Sequence, residues 1–282
     1  MEETRKFSYK EYDLVQQTKP TKYYRRQLTW QVFDEKANRV ANMLLDKGIQ
    51  KGDKVAILMF NCLEWLPIYF GILKAGAIAV PFNFRYTANE ISYCANLAEV
   101  SILIFGPEFV DRINTNADEI TRNRVLIFVG GEGKPAFAEN YWSLVADYPS
   151  TDPGIELTED DLAAIYFSSG TTGFPKAILH PHRSLTQAAE MEAVHHETTK
   201  DDCFLCIPPL YHTARSSTGW ARFGHAARLF FLRAPSLMSS SARYRMSTAR
   251  TYGSLCRGLR ISSMRWTAAN LSWKIMSSLS GD

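Results

Sequence analysis

The chain has 282 residues, 46% of them hydrophobic and 22% charged, with a formal net charge of +3. That composition suits one large globular domain or two ordinary ones and excludes a chain too polar to build a core. The opening "MEETRKFSYKEYD" is too polar for a signal peptide, and the most apolar region, 65–84, is interrupted by Gly71, Lys74, Gly76 and Pro81, so no membrane span is expected. In chain order, residues 29–47 predict a helix: Phe33, Ala37, Val40, Ala41, Leu44 and Leu45 recur at helical spacing after Thr29, and Gly48 supplies the stop. "KVAILMF" at 54–60 is a short apolar run of the kind that fills a parallel sheet. A helix over 63–74 and a strand over 77–81 follow, and Thr87 with Glu90 forms a capping box for the next helix. "VSILIF" at 100–105, "RVLIFV" at 124–129 and "LAAIYF" at 162–167 predict further strands, with helices near 107–121 and 183–198. Apolar strands alternating with helices specify an α/β domain with a largely parallel sheet.

This order stops near residue 214. Residues 1–214 hold 21 Lys and Arg against 28 Asp and Glu, a net of −7, whereas 215–282 hold 11 against one, a net of +10. The later stretch carries ten arginines and fourteen serines and shows no sustained period of 2 or 3.6, so an irregular tail is expected. The five cysteines show no paired framework. Cys203 and Cys206 have CxxC spacing but sit in an apolar run without a second pair, which argues against a metal or redox role and for a reducing, cytoplasmic setting.

The chemistry concentrates in "YFSSGTTGFPK" at 166–176. Glycines let the backbone turn sharply and present successive N–H groups to an anion, hydroxyls add donors, and Lys176 adds a mobile positive charge suited to phosphate. An ordinary turn between two elements has a similar composition, so the residues alone leave both readings open. A P-loop nucleotide site is excluded by spacing: counted from Gly170 it needs glycine at 175 and a hydroxyl at 177, where this chain has Pro175 and Ala177.

The stretch resembles the phosphate-binding signature of the adenylate-forming acyl-CoA synthetases, the superfamily that includes luciferases and peptide-synthetase adenylation domains. Three more stretches agree in order: 28–59, "GILKAGAIAVPFNFRYTANEISY" at 71–93, and "IPPLYHT" at 207–213. The resemblance covers 25–213 and implies an N-terminal portion of that fold, spanning 1–213, with 214–282 outside it. It implies a reaction in two halves: a carboxylate attacks the α-phosphate of MgATP to give an acyl-adenylate and pyrophosphate, and coenzyme A then displaces AMP to give a thioester. By the same resemblance Ser168, Ser169, Gly170, Thr171, Thr172, Gly173 and Lys176 line the phosphates. Thr171 or Thr172 lies near the magnesium ion, and His212 flanks the acyl pocket beside the adenylate. Lys176 and His212 are the implied catalytic pair, and the implied partner is a small carboxylic acid, fatty or aryl. Ala177 stands where the family usually has glycine, a small departure. The larger one is that the family's adenine-binding segment, ribose-binding aspartate, interdomain hinge and C-terminal lysine find no counterpart after residue 213.

An Arg/Ser-rich arm can bind RNA, but a second reading explains the tail better: translation out of frame. Codons for Ala214 to Trp220, read one nucleotide earlier, allow G-A-K-[FL]-H-W-[LMV] followed by a forced glycine, which resembles how the family continues after "PLYHT". The same shift over 263–277 forces an aspartate from Trp266-Thr267 and a glutamate from Trp273-Lys274, so an acid-free stretch turns acidic and helix-like. The expectation is therefore a partial adenylate-forming domain with an unrelated tail, inactive as the chain is written, the alternative being a basic-tailed nucleic-acid-binding protein.

Overall fold

Short apolar runs become the strands of one mixed sheet in the computed structural model, which describes residues 12–19, 22–168, 175–195, 203–206, 209–212 and 228–231. The chain opens with an antiparallel pair, β1 (Tyr12–Lys19) and β2 (Lys22–Leu28), that the apolar pattern does not announce. Helix α1 (Trp30–Asp46) then starts where expected: the Thr29 hydroxyl accepts the Val32 N–H at 3.1 Å. It stops at Gly48, whose φ of +85° is the left-handed turn that favours glycine.

Strand β3 (Lys54–Leu58), helix α2 (Trp65–Lys74), strand β4 (Ile78–Pro81), helix α3 (Ala88–Leu97) and strand β5 (Val100–Phe105) follow. The capping box at α3 is complete, since Glu90 N–H donates to the Thr87 hydroxyl and Thr87 N–H donates to the Glu90 carboxylate. The helix expected over 107–121 is instead a 3₁₀ turn (Pro107–Phe109) and two short helices, α4 (Val110–Thr115) and α5 (Ala117–Ile120). Asn116 breaks it: its backbone leaves the helical region at φ −122°, ψ 36°, and its amide donates to Asn89 Oδ1 and Ser92 Oγ on α3. The remaining elements are β6 (Val125–Phe128), β7 (Glu139–Asn140), α6 (Tyr141–Ala146), β8 (Leu162–Ser168), β9 (Lys176–Pro181), α7 (His182–His195), β10 (Cys203–Cys206) and β11 (Arg228–Phe231).

The seven-stranded sheet has the order β7-β6-β5-β3-β4-β8-β9 and is parallel throughout except for the β8–β9 pair. Its central strands are buried on both faces. Val55 and Ile57 of β3 point into one apolar layer with Val40, Leu44, Tyr69 and Ile72 of α1 and α2. Ala56 and Leu58 point into the other with Ile91, Phe109 and Ile113. α1 and α2 meet at Gly71, where an added Cβ would stand 2.5 Å from Val40 Cβ. β10 and β11 form a separate parallel pair, so the tail expected to be irregular contributes one described strand.

From α6 at one edge, residues 147–161 carry the chain across α1 and α2 to β8. Asn38 and Asn42 amides donate to the carbonyls of Ser150, Pro149 and Thr151, and Lys74 bridges Asp34 and Asp152. No helix among the described residues is long and apolar enough to cross a membrane.

Candidate functional site

β8 runs parallel to β4, so its last residue leaves the sheet at the end where β3 and β4 also terminate. Chain direction reverses there: β3 leads to β4 on one side, and the next strand, β5, returns to the other side of β3. The carboxyl ends of strands at such a reversal are where open α/β sheets bind ligands.

Ser168 ends β8 and Lys176 begins β9, and the two are register partners across the antiparallel pair. Ser168 therefore lies at the carboxyl end of β8, with exposed Lys176 opposite it at the start of β9. Ser169, Gly170, Thr171, Thr172 and Gly173 lie outside the described residues. Ser168 and Lys176 are thus register neighbours on adjacent strands, and a hydroxyl and an ammonium group are donor types suited to a phosphate oxygen.

The second expected motif closes over the same end of the sheet. Residues 209–212 form a turn in which His212 N–H donates to the Pro209 carbonyl at 3.3 Å. Leu210 is buried in the α1/α2 layer while Tyr211 packs on the opposite layer, so the turn straddles the sheet. The Tyr211 ring meets Phe84 edge-on at 5.2 Å and lies against the exposed His212 imidazole at 4.2 Å. Phe167, next to Ser168, packs edge-on to Phe82 at 5.9 Å in that same layer. The residues preceding Ser168 and His212 thus share one aromatic bed at the ends of β4 and β8.

Two residues before Ser168, the buried hydroxyl of Tyr166 on β8 lies 3.1 Å from that of Tyr69 on α2. Burial, with the Tyr166 hydroxyl beside it, holds the Tyr69 phenol well above its ordinary value, so it stays protonated. Burial also lowers the basicity of His180, whose ring meets Tyr166 edge-on at 5.5 Å. Cys62, just beyond β3, is pushed up to about 12 by burial and the neighbouring Glu64, which leaves it a thiol and a poor nucleophile at neutral pH. Among the described residues no group of three or more His, Cys, Asp or Glu side chains could hold a metal ion.

Asn61 escaped the sequence reading. It is buried at 3% exposure three residues past the end of β3, and its amide oxygen accepts the Leu210 N–H at 2.9 Å. The available signal was an asparagine ending the apolar run "KVAILMF", where a buried polar side chain needs a partner from elsewhere in the chain.

Comparison with known proteins agrees with the fold. The chain is 34% identical over 194 residues to the long-chain-fatty-acid–CoA ligase FadD13 of Mycobacterium tuberculosis, covering 68% of this chain and 37% of that protein. It is 31% identical over 194 residues to the crotonobetaine/carnitine–CoA ligase of Citrobacter koseri, covering 66% and 37%. It therefore spans a little over a third of the length of these curated relatives. Among solved structures, ATP-bound MatB from Rhodopseudomonas palustris superimposes with a TM-score of 0.66 at 27% identity, over 74% of this chain and 41% of that one. The anthranilate CoA ligase AuaEII, in complex with anthranoyl-AMP, shares the fold with a TM-score of 0.70 at 24% identity, over 76% and 41%. The profile of the AMP-binding enzyme family matches residues 12–258, a span that runs past Thr213, where the four quoted motifs end. With more than half of its residues inside that match, the chain belongs to the AMP-binding enzyme family.

Proposed function

We propose that this chain is the N-terminal, phosphate-holding portion of an enzyme that activates a carboxylic acid as an acyl-adenylate and passes the acyl group to coenzyme A. The observation that carries it is the register pairing of Ser168 with Lys176 at the carboxyl end of β8. That pairing sets a hydroxyl and a cation at the two roots of a loop rich in glycine and hydroxyl side chains.

When ATP is attacked at its α-phosphate, negative charge builds on the departing pyrophosphate. Lys176 and Ser168 are donors for that charge, and the sequence adds the N–H groups and hydroxyls of Ser169, Gly170, Thr171, Thr172 and Gly173; donors aimed at that charge act on the transition state. A threonine hydroxyl at 171 or 172 is a hard oxygen ligand suited to Mg²⁺, which when bound neutralises the phosphate oxygens. His212 stands at the rim of the acyl pocket beside the adenylate. The acid is fatty or aryl, in keeping with the long-chain-fatty-acid and anthranilate ligases that this chain resembles. Coenzyme A is the second substrate, and the compartment is the cytoplasm.

We further propose that residues 214–282 are an out-of-frame reading of the same gene, and that residues 1–282 alone form no acyl-CoA. The sign change in charge near 214 and the disappearance of acidic residues support this.

Thermal unfolding with MgATP or magnesium pyrophosphate tests the phosphate site in the chain as it stands. A saturable rise in Tm that Lys176→Ala removes, and that Lys134→Ala on a remote loop leaves intact, is the expected result. A rise insensitive to Lys176, or none with either ligand, contradicts the assignment.

A further inference from the structure

We propose that Asn61 is a positioning residue for the 209–212 turn and, through it, for His212. Four observations meet at this residue. It is the third residue beyond Leu58, the last of β3, the central strand at the sheet's reversal point. Its side chain is buried at 3% exposure, and so is Leu210 at 4%. Its Oδ1 accepts the Leu210 N–H at 2.9 Å, across 149 residues of sequence. The turn's own bond, His212 N–H to the Pro209 carbonyl, is long at 3.3 Å.

A buried N–H group that loses its acceptor carries its full desolvation cost, so the Leu210 amide strongly disfavours any position of the turn away from Asn61. Packing alone fixes the turn less sharply. Leu210 and Tyr211 enter apolar layers on opposite faces of the sheet, and apolar contact is non-directional. The directional tie to Asn61 sets where along the sheet end the turn sits. Because His212 is two residues further on, with its ring against Tyr211 at 4.2 Å, the same tie sets the imidazole relative to the strand ends. Asn61 thereby couples the loop after β3 to the motif after the phosphate loop, two segments far apart in the chain.

The inference rests on the reading above in giving His212 a place in the acyl site, but its test requires no ligand and no turnover. Hydrogen exchange, followed by mass spectrometry on overlapping peptides of the full 282-residue chain, reports the Leu210 amide directly. Asn61→Leu keeps the number and branching of side-chain heavy atoms and removes the acceptor. It should speed exchange at Leu210 about five- to tenfold while leaving β3 and α2 amides at their wild-type rates. Asn61→Asp restores an oxygen at the same reach and should recover the protection, and the His212 imidazole resonances should shift in Asn61→Leu and return in Asn61→Asp. Unchanged exchange at Leu210 in Asn61→Leu overturns the proposal, as does faster exchange spread through 54–74, which marks Asn61 as general core. Should Asn61→Leu fail to fold, Asn61→Asp decides: retained protection supports the role and lost protection refutes it. Failure of the phosphate-site test with an intact Asn61 effect would remove the ligase reading and leave the positioning role standing.

Discussion

The centre and the edge of the sheet obey different rules. In β3, β4 and β5 nearly every residue is buried and both faces are covered by helices, whereas β9 leaves Ile178 and Leu179, on opposite faces, 46% and 53% exposed. The difference separates stability from function. The centre holds the fold, and the β8–β9 edge carries the candidate phosphate loop, with Lys176 in solvent where a ligand can reach it.

The comparison breaks most readily in the core. Ile104→Ala on β5 removes three carbon atoms from a fully buried site and should cost roughly 2–5 kcal/mol. Leu179→Ala on β9 should cost less than about 1 kcal/mol, since half the side chain is already solvated. Urea unfolding of both variants measures the contrast, and equal costs would show that the edge is as closely packed as the centre.

Gly71→Ala tests the seam between α1 and α2. The new Cβ meets Val40 Cβ at 2.5 Å and the Ala37 carbonyl oxygen at 2.8 Å, so the helices must separate, at about 1–3 kcal/mol. Gly131→Ala, with nothing within 4 Å, should change Tm little.

A smaller effect is expected where the chain enters β8. Lys51 and the Thr158 N–H hold the Asp161 carboxyl down at about 2. A depressed folded-state value stabilises above the ordinary carboxylate value, so the contribution is complete above about pH 5 and is lost as pH falls from about 4 through 2. Lys51→Ala should therefore flatten the acid limb of a Tm-against-pH curve; an unchanged limb means that the ion pair contributes nothing measurable.

The smallest stability change belongs to the site itself. Lys176→Ala should alter unfolding free energy by no more than about 0.5 kcal/mol, because the side chain is exposed, while removing the response to pyrophosphate.

Legibility follows the same division. Strands buried on both faces were readable because burial demands continuous apolar runs, and the Thr29 and Thr87 caps were readable because a helix start needs a specific acceptor. The β1–β2 pair, with "YDLVQQTK" against "KYYRRQL", has no such run, and β9 reads "KAILHP" directly after a turn, so neither announced itself. The break at Asn116 depends on tertiary bonds to α3 that helical periodicity does not encode. Motif chemistry singles out Lys176 and Ser168, which are register partners at the end of β8. Asn61 was not legible, because its partner lies 149 residues away.

The central claim is that residues 1–213 belong to a carboxylate-activating enzyme whose continuation lies in another frame. The most direct test is to shift the coding sequence by one nucleotide at Thr213, express the product, and measure acid-dependent exchange of pyrophosphate into ATP. The account predicts a longer open frame, exchange with a fatty or aryl acid, and weakened use of ATP in Lys176→Ala. An early stop in that frame, codons over 214–220 that do not allow G-A-K-[FL]-H-W-[LMV], or a full-length product without exchange would contradict it.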